Sequence, residues 1–150
     1  MKRDTLLLIS TSYPESGDGS EAAGAFVADL AARLAMYVPV RIVAPGRLPD
    51  CIESDGVLTV RRFASPGRPL SLLSPTRPGD WLYIWRTLRS LRAQTLASNA
   101  DGRVAHVLAM WVLPSGWAAA KLARRFGVPY SVWALGSDIW SLSRLSFVRS

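Results

Sequence analysis

The 150-residue chain has a single cysteine, Cys51, and a single histidine, His106. One thiol excludes an internal disulfide and any cysteine-cluster metal centre, and a reduced compartment is the compatible setting. His106 sits inside an apolar strand-like run, where a structural histidine satisfied by a neighbour is the simpler reading, and the sequence assembles no nucleophile–histidine–acid arrangement around it. Long apolar runs are lacking too. The longest, Val107 to Ala120, is broken by Pro114-Ser115-Gly116 and falls short of a bilayer span. The start, Lys2-Arg3-Asp4 followed by Thr5 to Ile9, is too short in apolar content for a secretory leader. The expected setting is therefore the cytoplasm. Acidic residues are scarce, eleven against eighteen Lys and Arg, for a net charge of +7. The imbalance is uneven: residues 1–60 carry five basic and eight acidic groups, residues 61–150 thirteen basic and three acidic. Sixteen of the eighteen cations are arginine. That excess points to an anionic partner such as phosphate, nucleic acid or an acidic membrane face, with an ordinary basic surface as the plainer alternative.

What is present is enough apolar sequence, 49% against 19% charged, to bury one core and exclude wholesale disorder. Thr5 to Ile9 is a short apolar run of the kind buried on both faces of a sheet. After a polar turn from Tyr13 to Ser20, Phe26, Leu30 and Leu34 recur at helical spacing with Val27 and Ala31 beside them. Ser20 is placed to cap that helix. Val38–Ala44 and Val57–Phe63 read as further strands, and the Pro-rich stretch Ser65–Gly79 as a mobile loop. Trp81–Gln94 reads as an amphipathic helix with Trp81, Ile84, Trp85, Leu88 and Leu91 on a core-facing arc and Arg86, Arg89 and Arg92 around it. Val104–Ala109 is a strand, Pro114–Phe126 a helix ended by Gly127, and Tyr130–Ala134 a last strand. This alternation predicts an α/β, Rossmann-like, mostly parallel sheet with helices on both faces, whose ligands sit beyond the carboxyl ends of the strands.

Three segments fall at those ends: Gly17 to Gly24, Met110 to Gly116, and Leu135 to Asp138. In the first, Gly17, Gly19 and Gly24 lead from a strand into a helix, where glycine admits a ligand to the backbone and helix N–H groups attract anions. The third glycine comes too late for a dinucleotide fingerprint, and Gly24 equally suits tight helix–sheet packing. Gly136-Ser137-Asp138 offers a hydroxyl and a carboxylate, able to bind sugar hydroxyls or to cap the next helix. The Trp/Arg helix has two readings, a core-facing helix with a solvated arginine face, which is the commoner arrangement, and a helix resting on an anionic membrane. No nucleic-acid module is present, and nucleic acid is not expected as a partner.

The order of the motifs adds a resemblance. Ile9-Ser10-Thr11-Ser12-Tyr13-Pro14, the glycine loop, Gly24 to Leu30, Val40 to Pro45, Trp111-Val112-Leu113-Pro114-Ser115-Gly116, Phe126 to Tyr130 and Gly136-Ser137-Asp138-Ile139 together resemble the amino-terminal domain of family 4 glycosyltransferases of the GT-B fold. The resemblance spans nearly all 150 residues. It implies the acceptor-side half of a retaining enzyme that moves a sugar from a nucleotide-sugar to a glycan, lipid-linked or small-molecule acceptor. It implies no cofactor and no essential metal, the nucleotide-sugar being a substrate, and a donor-nucleotide domain lying beyond Ser150. The first domain would be incomplete and inactive alone. On this reading Gly17, Gly19, Ser20, Gly24, Trp111, Ser115, Gly136, Ser137 and Asp138 line the donor/acceptor cleft, with no catalytic residue assigned. Leu108, Met110 and Leu135 stand where many members carry histidine, so the histidine role near the donor sugar does not transfer. Two further classes remain: a non-catalytic Rossmann-like module binding nucleotide or carbohydrate, and a peripheral domain that meets an anionic membrane at its cytoplasmic face through the Trp/Arg helix.

Overall fold

The computed structural model describes residues 2–15, 22–47, 52–54, 56–65 and 76–134. Six strands and three α-helices follow one another among them: β1 (Thr5–Ile9), α1 (Ala22–Ala35), β2 (Val40–Gly46), β3 (Ile52–Ser54), β4 (Leu58–Ala64), α2 (Pro78–Ala97), β5 (Val104–Met110), α3 (Trp117–Phe126) and β6 (Tyr130–Trp133). They form one sheet in the order β3-β4-β2-β1-β5-β6. All neighbours run parallel except β3, which pairs antiparallel with β4 at the edge. The five parallel strands therefore have the Rossmann-like order, and the chain reverses its direction of winding between β1 and β5.

Side-chain alternation in the strands builds two cores, one on each face. Leu8, Val40, Ile42, Ala44, Val60 and Met110 meet Val27 and Ala31 of α1. Leu7, Ile9, Val43, Phe63, Val107 and Ala109 meet Leu91 of α2 and Ala118, Ala119 and Leu122 of α3. Right-handed crossovers require this division: α1 serves the strands that wind one way, and α2 and α3 serve the return and the strands that wind the other. Helix α3 ends where expected, at Gly127 in the left-handed conformation (φ 62°) with its N–H on the Ala123 carbonyl. Arg3 adds bonds to the carbonyls of Phe126 and Gly127 at 3.0 and 3.1 Å, placing positive charge at that helix end.

Three elements depart from the sequence expectation. The helix expected from Pro114 begins only at Trp117, because Val112–Gly116 forms a wider π-type turn interrupted by extended Leu113. Pro78 and Gly79, assigned above to the loop, open the first turn of α2, where proline lacks only an N–H that would be unsatisfied anyway. β3 carries no apolar alternation that would announce it. The loop expectation for 66–75 lies outside the described residues.

The amino edge of the sheet is held by two arginine–carboxylate forks. Arg41, on β2, donates to both carboxylate oxygens of Asp101 (2.7 Å to Oδ1) and to the Ser98 carbonyl (2.6 Å), tying β2 to the turn before β5. Arg103 donates to Asp4 at 2.8 and 3.2 Å, tying the start of β1 to the same turn. The Arg103 hydrogen bonds hold the Asp4 carboxyl below its ordinary value. Those from Arg41 hold Asp101 at about 2 against an ordinary 3.8. Because the folded value is depressed, the stabilisation by Asp101 is complete above pH 3.8 and is lost as the pH falls through about 2. Both partners are partly solvated, so the fork contributes about 1 kcal/mol or less. Asp101→Asn is expected to lower stability by that amount in urea unfolding near pH 7. The gap from the unsubstituted protein should close as the pH falls from 4 toward 2.

Candidate functional site

In a sheet of this order the place for a ligand is the crevice beyond the carboxyl ends of β1 and β5, where the winding reverses. Four segments meet there: the turn Ser10–Glu15 after β1, the first turns of α1, the turn Trp111–Gly116 after β5, and the end of β6. The β1 turn is set by Ser10, which is fully buried: its hydroxyl donates to the Ser12 carbonyl at 2.6 Å and accepts from the Ser12 N–H at 3.0 Å. Gly24 of α1 lies directly over the next residue but one. A Cβ there would stand 3.3 Å from both Cδ and N of Pro14. Gly24 is thus the close-packing glycine of the sequence reading, and it fits α1 against the β1 turn.

Arg62 fastens the same turn from below. It is 1% exposed, at the carboxyl end of β4, and donates to the carbonyls of Pro45 (3.1 Å) and Pro14 (2.8 Å) with its guanidinium 5.4 Å from the Tyr13 ring centre. Gly46 leaves it room: a Cβ at 46 would lie 2.8–2.9 Å from the Cβ, Cγ and Cδ of Arg62. At the rim, Glu15 accepts from the Arg47 N–H at 3.0 Å and faces its guanidinium at 3.8 Å.

On the β5 side, Trp111 has φ 71° and ψ 146°, a region that side chains other than glycine rarely enter and that costs about 1–3 kcal/mol. Its N–H donates to the Trp133 carbonyl at 3.0 Å, and its own carbonyl accepts from the Gly116 N–H at 3.2 Å. The Leu113–Pro114 peptide inside this turn is cis. Trp111 and Tyr13 are each half-buried against the α1-side core. Phe26 and Trp133 meet edge to face at 5.6 Å, bridging α1 to the end of β6. Phe26 is 42% exposed, so it belongs to the crevice wall and not to the core stripe expected of it. Ser115 is fully buried, and its hydroxyl has no hydrogen-bond partner among the described residues. Gly116 next to it packs against Val132, with a would-be Cβ at 3.2 Å.

Of the cleft residues expected from the sequence, Gly24, Trp111 and Ser115 lie near the carboxyl ends of β1 and β5, Gly24 and Ser115 buried and Trp111 half-buried against the α1-side core. Gly17, Gly19, Ser20, Gly136, Ser137 and Asp138 lie outside the described residues. Arg62, Tyr13, Phe26 and Trp133 were not expected there. The adjacent pair Arg61-Arg62 at a strand end was the one signal available for Arg62. His106 acts as expected of a structural histidine, with Nε2 3.0 Å from the Ser131 hydroxyl. Among the described residues no group of three or more His, Cys, Asp or Glu is placed to hold a metal ion. The arrangement offers aromatic faces and backbone polar groups, chemistry suited to holding a ring-shaped polar ligand.

No protein-family model matches the chain, and neither does any curated protein. Among solved structures it is similar to the C-terminal domain of a hydrogenase from Pyrococcus furiosus. The two share 13% identity at a TM-score of 0.52, covering 88% of this chain and 92% of that one. The likeness is one of fold. It supports a Rossmann-like α/β architecture.

Two substitutions separate packing from ligand use. Gly46→Ala drives a methyl into buried Arg62 and is expected to lower unfolding stability by about 1–3 kcal/mol. Ser115→Ala removes a buried hydroxyl that makes no bond, so thermal unfolding should show unchanged or slightly raised stability.

Proposed function

We propose that the chain is the acceptor-side domain of a retaining, cytoplasmic glycosyltransferase that moves a sugar from a nucleotide-sugar to a carbohydrate or lipid-linked acceptor. The observation that carries this reading is Trp111, an aromatic residue held at φ 71° in the crevice where the winding reverses. Backbone strain of this kind persists where the surrounding structure over-determines it, and it concentrates at ligand sites. Trp111 is half-buried against the α1-side core, and the part left exposed would meet the apolar C–H face of a pyranose. Phe26 and Trp133, both 42% exposed, extend the wall. The motif order described above supplies the reaction class: donor phosphates bound by a second domain, acceptor bound by this one, and transfer with retention across the cleft without a cofactor or an essential metal. Gly17, Gly19, Ser20, Gly136, Ser137 and Asp138 are assigned to the cleft on the motif order alone. A second reading, a non-catalytic module for nucleotide or carbohydrate, is favoured by the crevice itself, since Rossmann-like sheets bind nucleotides at the same place.

The test is calorimetric titration of the 150-residue chain with saccharides, nucleoside diphosphates and nucleotide-sugars. The acceptor-domain reading expects millimolar saccharide binding that falls at least about tenfold in Trp111→Ala, no turnover of nucleotide-sugar, and turnover once a donor domain is joined. Nucleoside diphosphate binding without saccharide binding would select the non-catalytic module. Turnover by the chain alone would overturn the assignment of the donor site to another domain.

A further inference from the structure

Helix α2 does not sit as its hydrophobic arc predicts. Its buried residues are Thr87, Leu91, Gln94 and Thr95. Trp81 and Trp85, expected in the core, are 63% and 55% exposed, and Leu82 and Tyr83 are exposed with them. The cause is the placement of the helix. Ser90 is level with the end of β4, its hydroxyl accepting from the Ala64 N–H at 2.9 Å. At about 1.5 Å per residue, Trp81 then lies roughly 14 Å farther along the axis, past the carboxyl edge of the sheet. The first turns of α2 overhang the sheet, and no strand of the described residues lies beneath their aromatic residues.

The same stripe continues down the helix as a groove against α3, of about 590 Å³, lined by Trp85, Leu88, Arg89, Arg92, Leu96 and Trp117. Its floor is aliphatic and its walls are indoles. Cations stand over both rings: Arg89 lies 5.2 Å from the Trp85 ring centre and Lys121 5.8 Å from that of Trp117. Charge on this face is one-sided. Helices α2 and α3 carry Arg86, Arg89, Arg92, Lys121, Arg124 and Arg125 against the single acid Asp80, whereas α1 on the opposite face carries one acid, Asp29, and one base, Arg33.

We infer that the α2–α3 face seats on the surface of an anionic phospholipid bilayer. The overhanging Trp81, Leu82 and Trp85 would enter the headgroup boundary, and Arg86, Arg89 and Arg92 would lie against lipid phosphates. Indoles beside aliphatic side chains, ringed by cations, match that boundary from its apolar depth to its charged plane. A nucleic acid would use the rings and the cations but not the aliphatic floor, which accepts methylene chains and presents nothing to a base edge. Among the described residues no helix is long and apolar enough to cross a membrane, so the contact is peripheral. This inference is independent of the reading of the crevice.

The experiment is co-sedimentation of the full chain with vesicles of phosphatidylcholine containing phosphatidylglycerol, against vesicles of phosphatidylcholine alone. Tryptophan emission is followed alongside. Expected are pelleting with the anionic vesicles at low salt, release as salt is raised, and a blue shift of emission. Arg89→Gln with Arg92→Gln should weaken partitioning about tenfold or more, and Trp81→Ser with Trp85→Ser should abolish the shift. Met36→Ser with Tyr37→Ser removes comparably exposed apolar side chains after α1 and should leave binding unchanged. All six positions are exposed, and unaltered far-ultraviolet circular dichroism verifies the fold of each variant. The inference is overturned by failure to pellet at low salt, by equal pelleting with neutral vesicles, or by equal loss in the Met36/Tyr37 variant. Retention of a single-stranded oligonucleotide in place of vesicles, or a dimer dissolved by the Trp81/Trp85 variant, would overturn it as well.

Discussion

β1 has a parallel partner on each side, and the architecture depends on that. Leu6–Ile9 pair with β2 on one side and Thr5–Ile9 with β5 on the other, so neither neighbour could be removed without exposing the central backbone. The chain moves outward from β1 to β2 and β4 and then returns to β5 on the other side of β1, so the winding reverses there, and among the described residues no helix lies above the strand ends at that point. The crevice follows from the topology before any side chain is considered. The side chains then decide what it holds: a turn locked by the Ser10 hydroxyl, a helix brought close by Gly24, and an indole fixed by a backbone angle that only its neighbours can sustain.

The two ends of the sheet are built by different means. At the amino edge, charged forks join strands to the turn between α2 and β5, in contact with solvent, where each contributes modestly and acid weakens it. At the carboxyl edge the corresponding cation, Arg62, is enclosed and spends its hydrogen bonds on backbone carbonyls of two turns. A guanidinium suits that task because its planar fork reaches two acceptors at once and it keeps its charge on burial. The basic excess of residues 61–150 is accordingly not one feature. Arg62 and Arg103 are structural, while Arg86, Arg89, Arg92, Arg124 and Arg125 lie exposed on one face.

Much of this was legible in the sequence because it is set by local periodicity. Thr5–Ile9 had to be a doubly covered strand, Val27 and Ala31 had to face the sheet, and Gly127 had to end a helix. What escaped was set by tertiary placement. The apolar arc of α2 was visible, but its register against the sheet was not, and Thr87, Gln94 and Thr95 occupy the interior that Trp81 and Trp85 were expected to fill. β3 is three residues that pair, among the described residues, only with β4. At the crevice, Trp111 and Ser115 could be singled out by their motif, but the left-handed backbone of one and the enclosure of the other are properties of the folded turn. Arg62 was hidden because an arginine at a strand end ordinarily reaches solvent.

Gly46 and Arg62 also bear on how this sequence can drift. The volume that one lacks is the volume the other fills, with 2.8 Å between a would-be Cβ and the arginine stem. The two positions form a single unit of variation. Shortening residue 62 would relieve an enlarged residue 46, but it gives up the tie to Pro14 and Pro45 that shapes the crevice turn. These two positions change together or stay as they are.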